Sequence, residues 1–554
     1  MKKLLFTALL LCTFSLTYSQ WVSNYGNYAG DVNFTNAKGN AVTCDASGNS
    51  YVTGYSYEGA SQNDIITIKY NQNGDTAWVR GYNGTANLND EGNGICVDNA
   101  GNVYVVGFAQ FTGKSEDVVI IKYSSNGTFQ WAQTYSGADT PTIDKGLGIA
   151  VDVSGFIYIT GYSTQLDGYT DILVRKYNAA GTPLWTASED GIRNLNAQGL
   201  GIAVGNSGNV YVTGFVSESG SNNTDIAVLK YNSSGVLQWL NTVNGTGNSE
   251  DKAWGIVVDV DDNVFITGYI TEAANTTNTY TAKYNTLGSI VWSKTYNGSG
   301  NQNDKAWGIV VDTDGSTYIT GETTSSNGGV NYLTLKYSST GVQTWASEYN
   351  GTGGGEDVAG SIGILLNNTN TKSVVVTGKS WGTTNTFDYA TVRYNVDNGV
   401  QSQVNRYTFT GTSTDIAKDI AITPTKKVVI TGFSELIVEA GISSTYISTM
   451  SVEFGDNSEL NLENTNPGSF SLHQNYPNPF NPSTSIRFDL AEATFVKLAV
   501  YDMLGREINV LVNQNLTAGT HNISFNAAYL SSGIYFYKLE AGSFRDIKKM
   551  TLVK

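Results

Sequence analysis

KAWGIVVDTDGSTYITG (305–321), followed after a variable loop by NYLTLKYSST (331–340) and GVQTWASEYNG (341–351), reads as four short strands. The apolar run Gly308 to Val311 meets an Asp-x-x-Gly turn at Asp312 to Gly315, and a second strand ends in Thr320-Gly321. An alternating third strand ends in Lys336-Tyr337, and the tight turn Ser338 to Gly341 leads to a fourth strand carrying Trp345.

The chain repeats this unit. The glycine closing the second strand recurs at Gly54, Gly107, Gly161, Gly214, Gly268, Gly321, Gly378 and Gly432, at spacings of 53, 54, 53, 54, 53, 57 and 54. A second ruler agrees with it: Tyr70, Tyr123, Tyr177, Tyr231, Tyr284 and Tyr337 each precede a tryptophan by eight residues, at Trp78, Trp131, Trp185, Trp239, Trp292 and Trp345. Hairpin-forming sequences such as NQNG and SSNG lie between. The seventh unit keeps Tyr394 but has Ser402 at the tryptophan position, a worn copy. A period near 54 residues with four strands per unit points to propeller blades.

The ends indicate how the ring shuts. QWVSNYG (20–26) matches the fourth-strand pattern, with Trp21 in the tryptophan place, whereas the last unit (415–454) supplies only three strands. Pairing the first strand with the last three leaves no open edge. The expected fold is all-β: an eight-bladed β-propeller over 20–454, closed by the N-terminal strand. The core DNAGNVYVVG (98–107) and the Lys-Tyr strand endings resemble the SBBP family of β-propeller repeats, whose name suggests seven blades where eight are counted here.

Met1-Lys2-Lys3 and the apolar run LLFTALLLCTFSL form a secretory signal peptide over 1–19, with cleavage expected between Ser19 and Gln20. Cys12 sits in mid-run behind the bulky Leu11, which disfavours a lipoprotein. No later stretch is apolar enough to span a membrane. The net charge of −16 argues against nucleic acid as a partner. Past the signal only Cys44 and Cys96 remain, a pair compatible with a disulfide that the spacing does not require.

Four of the seven prolines fall between Pro467 and Pro482, and the acidic segment 455–468 reads as a linker. Beyond it, over 469–554, NYPNPFNPST (475–484), VKLAVYDMLGREI (496–508), LSSGIYFYKLEAG (530–542) and the ending KKMTLVK resemble the type A C-terminal sorting domain of type IX secretion. Period-two alternation in Lys497 to Tyr501 fits a small Ig-like β-sandwich. The resemblance implies recognition by the type IX machinery, passage across the outer membrane, and a secreted or surface-attached product of a Gram-negative bacterium.

Both histidines, His473 and His521, lie in that terminal region, which withholds Ser-His-Asp catalysis and His-ligated metal from the propeller. No cofactor is expected; oxygen-ligated calcium is the metal chemistry left open. The turns at Asp259 to Asn263 and Asp312 to Gly315 lack the span and closing Glu of an EF-hand. Asp90, Asp144, Asp251, Asp304, Asp357 and Asp415 recur before the first strands, and Asp64, Asp117, Asp171, Asp225 and Asp388 open third strands. They form either an acidic ring at the channel mouth or a set of turn caps. Their recurrence favours caps, since a catalytic pair should break the repeat. Trp254 and Trp307 stand where other units have Asn93, Leu147, Leu200 or Lys418, and with Trp381, in the loop after Gly378, they are the aromatic ligand candidates. Core plugging is the competing role for the first two. The leading functional expectation is a binding or adhesion module for a glycan or protein ligand, with specificity in variable loops such as 56–63 and 217–224. A carboxylate-based polysaccharide enzyme and a purely structural surface protein are the alternatives.

Overall fold

In the computed structural model every regular element is a β-strand. The structure describes residues 21–26, 36–57, 62–137, 142–191, 194–218, 223–272, 276–366, 371–383, 385–409, 413–439, 442–454, 470–475, 478–491, 494–516, 519–527 and 530–553. The signal peptide, the Ser19–Gln20 junction and the 455–468 linker lie outside them, as do 58–61 and 219–222 of the variable loops. The chain divides into two compact units, 1–460 and 461–554.

The first unit holds eight four-stranded antiparallel sheets among its described residues. Sheets 1 to 7 lie within 37–82, 91–135, 145–189, 197–243, 252–296, 305–349 and 357–407, each a meander in chain order. Sheet 8 takes three strands, Thr414–Ile422, Val428–Glu439 and Ile442–Val452, and its fourth is the N-terminal Trp21–Tyr25, with Trp21 opposite Ser451. First strands pack on the first strands of the next sheet all the way round, sheet 8 on sheet 1 included. Second and third strands are buried on both faces; Val210–Ser217 and Thr224–Tyr231 expose no residue. Fourth strands such as Leu237–Val243 hold only exposed and half-buried positions and so form the outer edge.

The two sequence rulers have separate physical causes. Every first strand carries a β-bulge opposite the conserved-position glycine of the second, for example between Ala306 and Gly308 opposite Gly321. A Cβ on Gly321 would collide with the Lys305 carbonyl oxygen, so the bulge and the glycine are one feature. The tryptophans join neighbours. Trp292 of sheet 5 donates its indole N–H to Ser339 O at 3.2 Å in the hairpin turn of sheet 6, lies against Gly341 there (φ 79°), and meets Tyr337 at 5.8 Å between ring centroids. The same clasp is made by Trp78, Trp131, Trp185, Trp239 and Trp345, with the turn carbonyl accepting at 3.0–3.3 Å. Lys69, Lys122, Lys176, Lys230 and Lys336 donate to those same carbonyls. Each aromatic pair adds about 1 kcal/mol beyond its area burial.

Trp21 fits this scheme from the other end of the chain: it covers Gly74 in the turn of sheet 1 and lies 5.4 Å from Tyr70. Ser402 is its complement. A tryptophan there would need a hairpin turn in sheet 8 to rest on. Sheet 8 has no turn between its third and fourth strands, because the fourth arrives from the N-terminus. The missing tryptophan is therefore a consequence of closure rather than decay of a copy.

The second unit has a three-stranded sheet (Ser471–Leu472, Ser483–Leu490, Gly519–Asn526) and a four-stranded one (Glu507–Leu516, Thr494–Tyr501, Gly533–Ala541, Phe544–Leu552). Ile486, Phe488 and Leu490 from one and Val496, Leu498, Val500, Leu539 and Met550 from the other share a single core.

Candidate functional site

The extra residue at each first-strand bulge forms a column with one member per sheet: Asn40, Asn93, Leu147, Leu200, Trp254, Trp307, Gly360 and Lys418. None is buried outright, although the residue before it is in every sheet. Sheets 8, 1 and 2 contribute polar side chains and sheets 3 to 6 apolar ones, so the column has a wet half and a dry half. A cavity of about 420 Å³ runs along the first strands of sheets 4 to 8, walled by Gly201, Trp254, Gly308, Ser361, Ile362 and Asp419 among others. That volume suits a small ligand or one residue of a longer one.

Trp254 and Trp307 sit on adjacent bulges in edge-to-face contact, with centroids 4.9 Å apart at 66°. Tyr269 lies 5.6 Å from Trp254 and 6.4 Å from Trp307, and the Lys305 ammonium caps Tyr269 at 4.8 Å. The Trp307 indole N–H is buried without a hydrogen-bond partner among the described residues. Trp381 is placed differently from its expected loop position. It ends the second strand of sheet 7, half-buried, with its ring 4.8 Å from Phe387 and against Gly353 and Gly355.

The recurring aspartates are tied into the backbone. Asp90, Asp144, Asp251, Asp304, Asp357 and Asp415 have no exposed surface. Asp251 accepts from Gly245 N and Thr271 N, both at 2.5 Å, joining the loop out of sheet 4 to the end of the second strand of sheet 5. Asp90 does the same with Gly84 and Gln110 at 2.5 and 2.7 Å, and Asp144 with Gly137 and Thr164 at 3.3 and 2.8 Å. Asp304 takes Gly298 and Thr324 at 2.7 and 3.1 Å, and Asp357 takes Gly351 and Trp381 at 2.8 and 3.0 Å. The backbone N–H groups of Asp90, Asp144, Asp251 and Asp304 bond the start of the third strand in the preceding sheet. Burial pushes the Asp90, Asp251 and Asp415 carboxyls up to about 6, against the hydrogen bonds that favour the charged form. Of the third-strand acids, Asp64, Asp117 and Asp225 are buried, Asp171 accepts from Ser188 Oγ at 2.7 Å, and Asp388 pairs with Arg406 at 2.7 Å.

One carboxylate breaks the repeat, and the sequence reading passed it over. The position after the bulge is Ala41, Gly94, Gly148, Gly201, Gly255, Gly308 and Ser361 in sheets 1 to 7, but Asp419 in sheet 8. Asp419 accepts from Val42 N at 2.9 Å, Ile420 N at 2.8 Å and Ser361 Oγ at 2.9 Å, linking sheets 7, 8 and 1 where the ring shuts. Burial raises its pKa above the usual carboxylate range. Aligning the eight copies column by column at the bulge exposes it.

Among the described residues no three His, Cys, Asp or Glu side chains converge as metal ligands do. The turn acids have local partners: Asp259 accepts from Asp261 N and Asn263 N, and Asp312 pairs with Lys372 at 2.5 Å. Cys44 and Cys96 are free thiols, and burial pushes Cys44 up to about 12. In the second unit Ser471, His473 and Asp489 meet, but serine and carboxylate both contact His473 Nε2, at 2.9 and 2.5 Å. A triad needs them on opposite ring nitrogens, so this cluster is not one.

The family of secretion system C-terminal sorting domains matches residues 474–553. No curated protein matches the sequence. Among solved structures, the quinohemoprotein alcohol dehydrogenase of Comamonas testosteroni is similar with a TM-score of 0.44 and 11% identity over 80% of this chain and 79% of that one. PorZ of Porphyromonas gingivalis, a surface component of the type IX secretion system, gives 0.33 and 12% over 91% and 64%. The WD40 domain of fission yeast SCAP gives 0.39 and 9% over 78% and 98%. Values this low say nothing of ligand or reaction. The sorting domain carries the address: it is the part that the type IX machinery recognises, and the protein is secreted or attached to the surface of a Gram-negative cell.

Proposed function

We propose that residues 20–454 form an eight-bladed β-propeller of the SBBP-repeat type, made with a signal peptide over 1–19 and followed by an Ig-like β-sandwich that directs export, and that its channel binds a glycan at the cell surface. The observation carrying the binding reading is the aromatic group Trp254–Trp307–Tyr269 at neighbouring bulges, beside a cavity of about 420 Å³. Tryptophan faces stack on the apolar face of a sugar ring, and the polar members Asn40, Asn93 and Lys418 meet its hydroxyls. The buried aspartates support the same division, since six of the candidate acids are spent on backbone N–H groups and the aromatics are not. Calcium, if bound, would act on the loops rather than in this column.

The carboxylate-enzyme reading has one observation in its favour, the repeat-breaking Asp419 in the cavity wall. Glycoside hydrolysis needs a second acid across the bond, and Asp419 itself is already held by three donors.

A panel of polysaccharides screened against the secreted chain, with product analysis of every hit, tests this. Binding without new products is expected, and Trp254→Ala should weaken it at least ten-fold, in the range of an aromatic hot spot. Released oligosaccharides would replace the binding reading with the enzymatic one. Silence across the panel would leave a protein partner or a structural role.

A further inference from the structure

Lys418 is the one charged side chain among the eight bulge residues. Its ammonium lies 6.0 Å from the centroid of the Phe433 ring, and that of Lys38, from sheet 1, lies 4.4 Å from the same ring. Two cations therefore gather around one aromatic ring at the point where the ring of sheets closes. Three other lysines of first and second strands are neutralised: Lys145 by Glu116 and Lys379 by Glu356, each at 2.7 Å, and Lys252 by Glu250. Among the described residues Lys38 and Lys418 have no ion-pair partner. The adjacent carboxylate, Asp419, is held by Val42 N, Ile420 N and Ser361 Oγ. Glu91 accepts from Asn40 Nδ2 at 2.8 Å, and Glu435, two residues beyond Phe433, acts with Glu91 on Tyr55, the residue opposite Lys38.

Lys418 is exposed on its strand, yet the protein around it leaves its ammonium incompletely hydrated. That, together with the charges of Lys38 and Lys379, holds its pKa below the ordinary lysine range, with Glu91 acting in the opposite sense. Like charges gathered at one spot destabilise the free protein and are relieved by an anion placed between them. The chain carries a net charge of −16, so an anionic ligand is repelled by most of the molecule and attracted here.

We propose that Lys418 and Lys38 form an anion subsite in the channel, and that the ligand is an acidic glycan whose carboxylate or sulfate ester docks between the two ammonium groups. This rests on the glycan-binding reading above and specifies its ligand. Carboxylate and sulfate present the same chemistry to two lysines, and matched probes separate them.

The test measures binding of the full chain to oligogalacturonides and their methyl esters, and to carrageenan and agarose oligosaccharides of equal length. In at least one pair the acidic member should bind roughly ten-fold tighter than the neutral one, the range for a charge-assisted hydrogen bond. The pair that shows the preference identifies the acid group. Lys418→Gln should abolish the preference, bringing the acidic and neutral members to equal binding, whereas Lys294→Gln, on an exposed fourth strand, should leave the preference intact. Lys418 is exposed and its replacement removes a like-charge repulsion, so Lys418→Gln should not lower the thermal midpoint. Equal binding of acidic and neutral members, or a preference that survives Lys418→Gln, overturns the anion subsite and leaves glycan binding standing. Failure of all four probes overturns the acidic-glycan assignment, and binding of other neutral glycans in the wider panel then shows whether glycan recognition itself survives.

Discussion

The tryptophans of this chain divide into two sets, and the same residue type does different work in each. Trp292 is 7% exposed, its N–H is bonded and its face is covered by a glycine turn and a tyrosine. Trp254 is half-buried at a bulge on the wall of a cavity. Trp292→Ala should therefore cost about 3–5 kcal/mol of unfolding free energy with ligand binding retained, because a large buried side chain leaves a void. Trp254→Ala should cost about 1 kcal/mol, the worth of its ring contacts, while binding is lost. Urea denaturation and calorimetric titration of the two variants check this; equal stability losses would merge the sets. At this scale the sequence separates the tryptophans well, because one set recurs at a fixed spacing and the other does not. It is silent on Asp419 and on the pairing of Lys38 with Lys418. Those depend on which copies become neighbours when the ring shuts, and that is a property of closure rather than of any one copy.

At the scale of the sheet, the aspartate at the start of six of the eight first strands acts as a clasp between consecutive units. Asp251→Ala would strand two buried N–H groups, at about 1–3 kcal/mol each, and should lower the thermal midpoint by several degrees. The clasps also set a pH dependence. Asp90, Asp251 and Asp415 hold a proton up to about pH 6 in the folded chain, above the ordinary carboxyl value of the unfolded one. Between those values the folded state binds more protons, so their contribution is full below the unfolded value and is lost as pH rises through about 6. Asp45 works the other way: despite burial, bonds from Asn49 and Tyr51 hold it below the ordinary range, so its contribution is lost on acidification. These raised acids, together with Asp225, which burial also pushes up to about 6, should dominate between roughly pH 4.5 and 7. Urea midpoints should fall across that range, with a smaller fall in Asp251→Asn; a rise with pH would contradict it. Ser402→Trp makes a complementary test of the tryptophan clasp. With no turn in sheet 8 to receive it, the new ring should add no stability, and loss of the bond from half-buried Ser402 Oγ to Arg393 O should cost about 0.5–1.5 kcal/mol. The recurrence of the aspartates was legible, and so was their preference for capping. Their role between sheets was not, because the clasps join residues 6 or 7 before and 20 to 24 after the aspartate in sequence, on two different sheets.

Across the whole first unit, the N-terminal strand is the element on which closure depends. Trp21–Tyr25 pairs in register with Ile447 to Ser451, and Trp21 covers the turn of sheet 1. Removing residues 21–25 should expose the edge of Ile442–Val452 and promote self-association, which light scattering at increasing concentration would detect. A chain that stays monomeric with an unchanged thermal midpoint would contradict this role. The order of the strands and the completion of the last sheet from the first strand were readable from a repeat of four strands that ends one strand short. The column itself was partly legible, since Trp254 and Trp307 align with Asn93, Leu147, Leu200 and Lys418, but its division into an apolar and a polar half was not read, because no one residue type runs through its eight members over nearly 380 residues.

The most direct measurement is diffraction from crystals of the secreted chain soaked with an oligosaccharide that the screen shows to bind. Sugar density against Trp254 and Trp307, reaching toward Lys418, is the expected result. Density confined to the outer loops, with the channel residues untouched, would contradict the account.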